Sequence, residues 1–152
     1  MDVATLILTC LRNNLSIDGL VFRLDEFDTK DPALQLLVES YPERSTWVTR
    51  GVYKVEHRLR ITIYLKLIRY DLDTVAAARI VWFDLKEKIN QVLSKNKFNI
   101  SGIINIDLFG GWDDERSIAV GRGIKVVSEP IIWKSKQELT CIYYTVQDLE
   151  VE

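Results

Sequence analysis

The sequence predicts an α+β fold: a mainly antiparallel sheet, an N-terminal helix, one long helix packed across the sheet, and a projecting β-hairpin arm. Three observations carry this expectation. From Val52 to Leu67 the chain alternates almost without a break: Tyr53, Val55, His57, Leu59, Ile61, Ile63, Leu65 and Leu67 share one face, and charged or polar residues fill the other. That period of two is the pattern of a half-buried antiparallel strand. From Asp73 to Leu93 apolar residues recur instead at steps of three and four, the pattern of an amphipathic helix. After that helix the chain returns to short apolar runs punctuated by glycine and proline, the mark of strands and turns.

The length of the alternating strand has its own consequence. Sixteen residues at about 3.3 Å each span roughly 53 Å. A compact globule of this chain length has a radius of gyration of about 15 Å, hence a diameter of roughly 38 Å. The strand is therefore expected to bend strongly or to leave the body as an arm.

In chain order, Asp2 caps a first helix running to about Asn13, with Val3, Leu6, Ile7, Cys10 and Leu11 on its inner stripe. The stretch Asn14–Gly19 turns the chain, and Leu20–Leu24 reads as a short strand. An acidic loop, Asp25–Asp31, follows. Asp31–Glu39 is open between helix and strand: Asp-Pro is a good helix start, but the run is short and Pro42 is close, which favours a strand from Ala33 to Glu39. Tyr41–Gly51 then becomes the loop at the tip of the arm, followed by the long strand. Asp71-Leu72-Asp73 caps the second helix, Thr74 to about Ser94, whose inner stripe is Val75, Ala78, Trp82, Leu85, Ile89 and Val92, widened by Val81 and Leu93. Lys86, Glu87, Lys88, Asn90 and Gln91 are placed on its polar side. Gly102–Phe109 is a strand, Gly110–Arg116 a loop, and Ser117–Ser128 a strand disturbed at Gly121-Arg122-Gly123; Pro130 breaks the chain before the run Ile131-Ile132-Trp133-Lys134, and Leu139–Val146 is a final strand ahead of an acidic tail. Repeats and low-complexity linkers are lacking, so residues 1–152 are read as a single domain.

Composition narrows the function classes. With 47% hydrophobic and 28% charged residues the chain can bury a core and stay soluble, and its net charge of −2 lacks the basic excess of a dedicated nucleic-acid binder. Cys10 and Cys141, the only cysteines, sit in apolar runs and are expected to be buried, reduced thiols. Together with the one histidine they fall short of the four ligands of a zinc site. The N-terminal apolar run is short and lacks a basic flank, so it does not read as a signal peptide. Nor does any run reach the roughly 18 apolar residues of a membrane span. The expected location during synthesis is the cytoplasm.

Gly121-Arg122-Gly123 and Gly110-Gly111 lack the lysine and the following helix of a phosphate loop, and read as bulge or turn glycines. His57 has Glu56 and Arg58 beside it, but both point to the opposite strand face and cannot form a dyad with it. Asp107, Asp113, Asp114, Glu115, Glu129 and Lys134 suggest a metal nuclease, yet the Glu-x-Lys pairing of such sites is missing because Pro130 and Ile131 follow Glu129. Neither a catalytic residue, a cofactor site nor a metal site is predicted.

The layout of Val3–Asn13, Ala33–Glu39 leading into Tyr53–Leu67, Asp73–Leu93 and Gly102–Val146 resembles the tail terminator and tail completion proteins of tailed phages and prophages. The resemblance covers nearly the whole chain and has no diagnostic motif. It implies a structural virion protein without enzymatic activity. Copies would form a homo-oligomeric ring, typically a hexamer, that closes the tail tube, joins it to the neck and lets DNA pass without specific binding. The implied partners are tail-tube and neck or adaptor proteins, and the implied location is the virion. A head–tail adaptor or minor tail component is the alternative within the same particle. A small nucleic-acid-binding or nuclease-like domain using Arg58, Arg60 and Lys66 is the alternative from another class.

An arm longer than its body exposes backbone that invites pairing with another chain. Subunit contacts are therefore expected at Trp47, Arg50, Arg58, Arg60 and Tyr64, with the arginines reaching acidic segments of a neighbour such as Asp113, Asp114 and Glu115. Trp47 is either a contact anchor or folded back on its own hairpin.

Overall fold

In a computed structural model of the chain, the structure describes residues 2–24, 26–67, 71–96, 100, 102–117, 120–121, 124–125 and 131–146. Asp2 caps helix α1 (Val3–Asn14) as expected, its carboxylate accepting from the Thr5 amide at 3.1 Å and the Thr5 hydroxyl at 2.7 Å. These bonds hold the Asp2 carboxyl below its ordinary range. Asp71 does the same for helix α2 (Leu72–Lys95) through Thr74. Both caps follow from a local rule: an acidic side chain satisfies amides that the first helical turn leaves unpaired.

Five strands form the main sheet: β1 (Val21–Arg23), β2 (Gln35–Thr49), β3 (Val52–Leu67), β4 (Asn105–Ser117) and a last long strand, Ile131–Val146. Between the last two lie a pair of two-residue strands, β5 (Val120–Gly121) and β6 (Ile124–Lys125), so the last strand is β7. The spatial order is β1-β2-β3-β7-β4. Only β1 runs parallel to its neighbour, and all other pairs in the main sheet are antiparallel. The α+β class with an antiparallel sheet and two helices is thus the observed one.

Three expectations are corrected here. Tyr41–Thr49 is strand rather than loop: β2 runs on through Pro42, and the tip turn is only Arg50-Gly51. Pro42 is tolerated because it sits on an outer strand at a bulge, where two β2 residues oppose Arg58 between the Ser40↔Leu59 and Glu43↔His57 pairs. Gly51 turns the chain with φ +76°, a conformation that costs glycine little. Second, the Gly110–Arg116 loop is also strand. Here the ladder slips between Phe109 and Asp113, Gly110 adopts φ +59°, and the buried Gln137 side chain donates to the Phe109 carbonyl at 2.9 Å. Third, β7 is continuous from Ile131 and pairs with β3 along its whole length, Leu67↔Ile131 through Val52↔Val146. The arm therefore has three strands, and β3 lies at its centre with no free backbone edge. Among the described residues the arm's free edges are β2, which β1 covers only at Gln35–Leu37, and the end of β7 beyond Ile142, where β4 starts. Of the predicted strand Ser117–Ser128, disturbed at Gly121-Arg122-Gly123, the described residues are Ser117 at the end of β4 and the short strands β5 and β6 on either side of that disturbance; its other residues lie outside the described ones.

Both helices pack on the sheet face that carries Leu36, Val38, Leu59, Ile61, Ile63 and Leu139. α1 contributes Val3, Ala4, Ile7, Leu8 and Leu11, and α2 contributes Trp82, Leu85, Ile89 and Leu93. Cys141 is fully buried, but Cys10 is only half-buried, at the margin of the α1 stripe. Val81 is 41% exposed and does not widen the inner stripe. Lys86, expected on the polar side, turns inward and is buried.

Candidate assembly surfaces

The sequence-predicted contact residues separate into three places. At the arm's end, Trp47 is 63% exposed, and Arg50 is exposed in the turn beside it. The residues from Pro42 to Arg50 are exposed on both faces of β2, beyond the cover of the helices. Trp47 does not fold back into a buried position on its hairpin.

Arg58 and Arg60 lie on the face without helices. There they are already paired within the chain: Glu138, opposite Arg60 on β7, accepts from Arg60 at 2.9 Å and from Arg58 at 3.3 Å. Arg60 also stacks over Tyr41, 4.9 Å from the ring centre. Its hydrogen bond to Glu138 raises the guanidinium's pKa and lowers the carboxyl's. Lys66 donates to the Thr29 carbonyl at 3.1 Å. The cations proposed for phosphate contact thus have local partners.

Tyr64 is corrected outright. It is 5% exposed and stacks on Phe27, the ring centres 4.9 Å apart. The acidic stretch before β2 folds over this end of the sheet and is pinned there by Gln35, whose side chain donates to the Asp28 carbonyl at 2.8 Å and accepts from its amide at 2.9 Å. A subunit contact through Tyr64 is closed off. The same cover raises the phenol's pKa by desolvation.

Asp113, Asp114 and Glu115 belong to β4, at the other edge of the sheet, and alternate between its faces. Glu115 accepts from Lys136 at 3.0 Å, which lowers its pKa. Asp114 points to the helix side, where it binds the Lys86 ammonium and accepts from the Ser135 hydroxyl at 2.6 Å. This trio ties α2 to β4 and β7. The three acids are therefore not a shared loop tip.

Two features escaped the sequence. The first is a tie at the root of the arm. Glu43 of β2 accepts from the Tyr143 hydroxyl at 2.9 Å, and its Oε2 lies 3.4 Å from His57 Nδ1. The latter approach lies outside hydrogen-bond geometry, since neither ring nitrogen of His57 has a hydrogen-bond partner among the described residues. Burial, aided by Glu43, pushes Tyr143 up to about 12, so the phenol stays neutral and serves as a donor rather than a nucleophile. The second is on α2, where Leu72, Ile80 and Phe83 are 82%, 70% and 53% exposed. Its signal was in the sequence: from Leu72 to Phe83 the helix is apolar nearly all round, which a single inner stripe does not explain.

Among the described residues, no group of three or more His, Cys, Asp or Glu side chains is placed to hold a metal ion. No helix among them is long and apolar enough to cross a membrane. A scan against protein-family models finds no match, and a search of curated proteins finds none.

Proposed function

We propose that this chain is a structural subunit of a tailed phage or prophage particle, forming a ring that ends the tail tube and joins it to the neck. The observation that carries the reading is the arm. Three paired strands run past the helical layer and end in an exposed Trp47-Val48 tip, and along one side β2 presents backbone that β1 covers only at its first three residues. A rigid, exposed sheet edge ending in apolar side chains is a surface suited to another copy of the chain. The ordered element sequence, α1-β1-β2-β3-α2 followed by the C-terminal strands, agrees with the layout on which the resemblance rests.

Labelling intact particles with antibodies to the chain tests the proposal. Label confined to the head–tail junction, together with closed rings in micrographs of the isolated neck, is the expected result. Label elsewhere, or a single isolated copy at the junction, overturns it.

A further inference from the structure

Helix α2 carries two apolar stripes. The inner one packs on the sheet. The outer one, Leu72, Ala76, Ile80 and Phe83, recurs at steps of four and three and lines a shallow groove of about 420 Å³ together with Val75 and Arg79. Arg79 is exposed, and none of the ion pairs between described residues involves it. Exposed apolar side chains gathered on one helix face mark an interaction site.

The arm's tip is the complementary surface. Trp47 and Val48 are 63% and 48% exposed, and Arg50 is exposed in the turn that follows them. The first turn of α2 carries Asp73, an acid of opposite sign to the tip's Arg50, while the groove's own Arg79 is a cation that an indole can meet. Their positions exclude contact within one chain. The tip precedes Val52, whereas α2 begins just past Leu67, and the sixteen residues of β3 hold them roughly 53 Å apart. Contact between these two different patches has to be between copies, and it is head-to-tail. Such a contact generates a ring when its rotation closes.

We propose that the arm of one copy seats Trp47 in the α2 groove of the next copy. The indole stacks on the Arg79 guanidinium, a cation–π contact that strengthens as water leaves. Val48 meets Ile80, and Arg50 faces Asp73. The inference rests on the reading of the chain as a ring subunit and names the surface through which the ring closes.

Cysteine cross-linking tests it in the full chain carrying Cys10→Ala. Under mild oxidation, the double variant Val48→Cys/Ile80→Cys is expected to give a ladder of covalent multimers. A mixture of the two single variants should stop at covalent dimers, and each single variant alone should stay uncross-linked. Adding Trp47→Ala to the double variant should cut the cross-linked fraction at least tenfold. An oligomer by solution mass whose double variant does not cross-link overturns the inference and leaves the ring reading standing. So does cross-linking of Val48→Cys alone, which would mean tip-to-tip contact. A lowered melting temperature for monomeric Ile80→Asp also overturns it, because the groove would then be covered by the chain's own residues. Strict monomers at every concentration overturn the head-to-tail contact, while the ring reading is judged separately by the labelled particles.

Discussion

Strand β3 passes through two environments in sixteen residues. From Leu59 to Leu67, the residues Leu59, Ile61, Thr62, Ile63, Tyr64 and Leu67 are buried, including two from the nominally polar face. From Val52 to Arg58 only Val55 is buried. Alternation, strand pairing and neighbours on both sides are common to the two halves. What differs is the cover. The lower half lies between the helices and the Phe27 stretch, whereas the upper half joins the helix-side core only through Val55. Backbone pairing therefore extends the sheet, whereas side-chain burial decides which part of it is core and which is surface.

The largest effect that separates the halves is a core truncation. Leu85 is fully buried against the lower sheet, and Leu85→Ala should cost about 2–5 kcal/mol through lost burial and a residual cavity. Val48→Ala at the tip should stay within about 0.5 kcal/mol, as an exposed change does. Urea titration of both variants checks the pair, and equal costs would break the comparison. Next is the tie between helix and sheet. Lys86 is buried over Trp82 and Phe83 and bonded to Asp114. Removing it as Lys86→Ala should cost about 1.5–3 kcal/mol, the range for a hydrogen bond to a charged group. The solvent-facing Lys88→Ala, which loses only a helical pair with Asp84, should cost less than about 0.5 kcal/mol.

These contrasts also show what could be read in advance. The bounds of β3 and the caps of α1 and α2 were legible because alternation and capping depend on residues a few positions apart. The continuations of β2 through Pro42 and of β4 through Gly110-Gly111 were not, because partners far along the chain supply them: His57 and its neighbours for β2, Gln137 and Glu138 for β4. The middle of β7 was missed for a related reason. Ser135 and Gln137 are polar yet buried, and their partners, Asp114 and the Phe109 carbonyl, lie on another strand. The sequence left Trp47 open between a contact anchor and an indole folded back on its hairpin, and only the exposed end of β2 decides for the exposed position. The burial of Tyr64 was not legible either, since nothing local foretells that Phe27 folds over it.

The root of the arm should respond to alkali. Burial raises Cys141 from its ordinary 9.0 to about 12, and Tyr143, two residues on, from 10.0 to about 12. Each folded value lies above the unfolded one, so the protonated forms favour the fold. Their contribution is complete below pH 9 and is lost as pH rises from 9 toward 12. Stability measured across that window should fall, and Cys141→Ala should flatten the fall. Tyr143→Phe should remove its own part of the slope and, by deleting the bond to Glu43, cost about 1 kcal/mol at neutral pH. An unchanged slope in both variants would place the alkaline loss elsewhere in the molecule.

The smallest effect on the fold is expected from one of its largest side chains. Truncating a buried tryptophan typically costs about 3–5 kcal/mol. Trp47 is 63% exposed on a strand whose neighbours from Pro42 to Arg50 are exposed as well, so little apolar area returns to water when it is cut back. Trp47→Ala should therefore move monomer stability by no more than about 0.5 kcal/mol, less than Tyr143→Phe at the root of the same arm. Its effect should fall on association instead, where a tryptophan that loses water only against a partner is the kind of residue that dominates an interface. Denaturant titration and solution mass, measured on the same Trp47→Ala preparation, separate the two. A stability loss of several kcal/mol would mean that the indole packs on its own hairpin in solution, and the upper half of the sheet would then belong to the core after all.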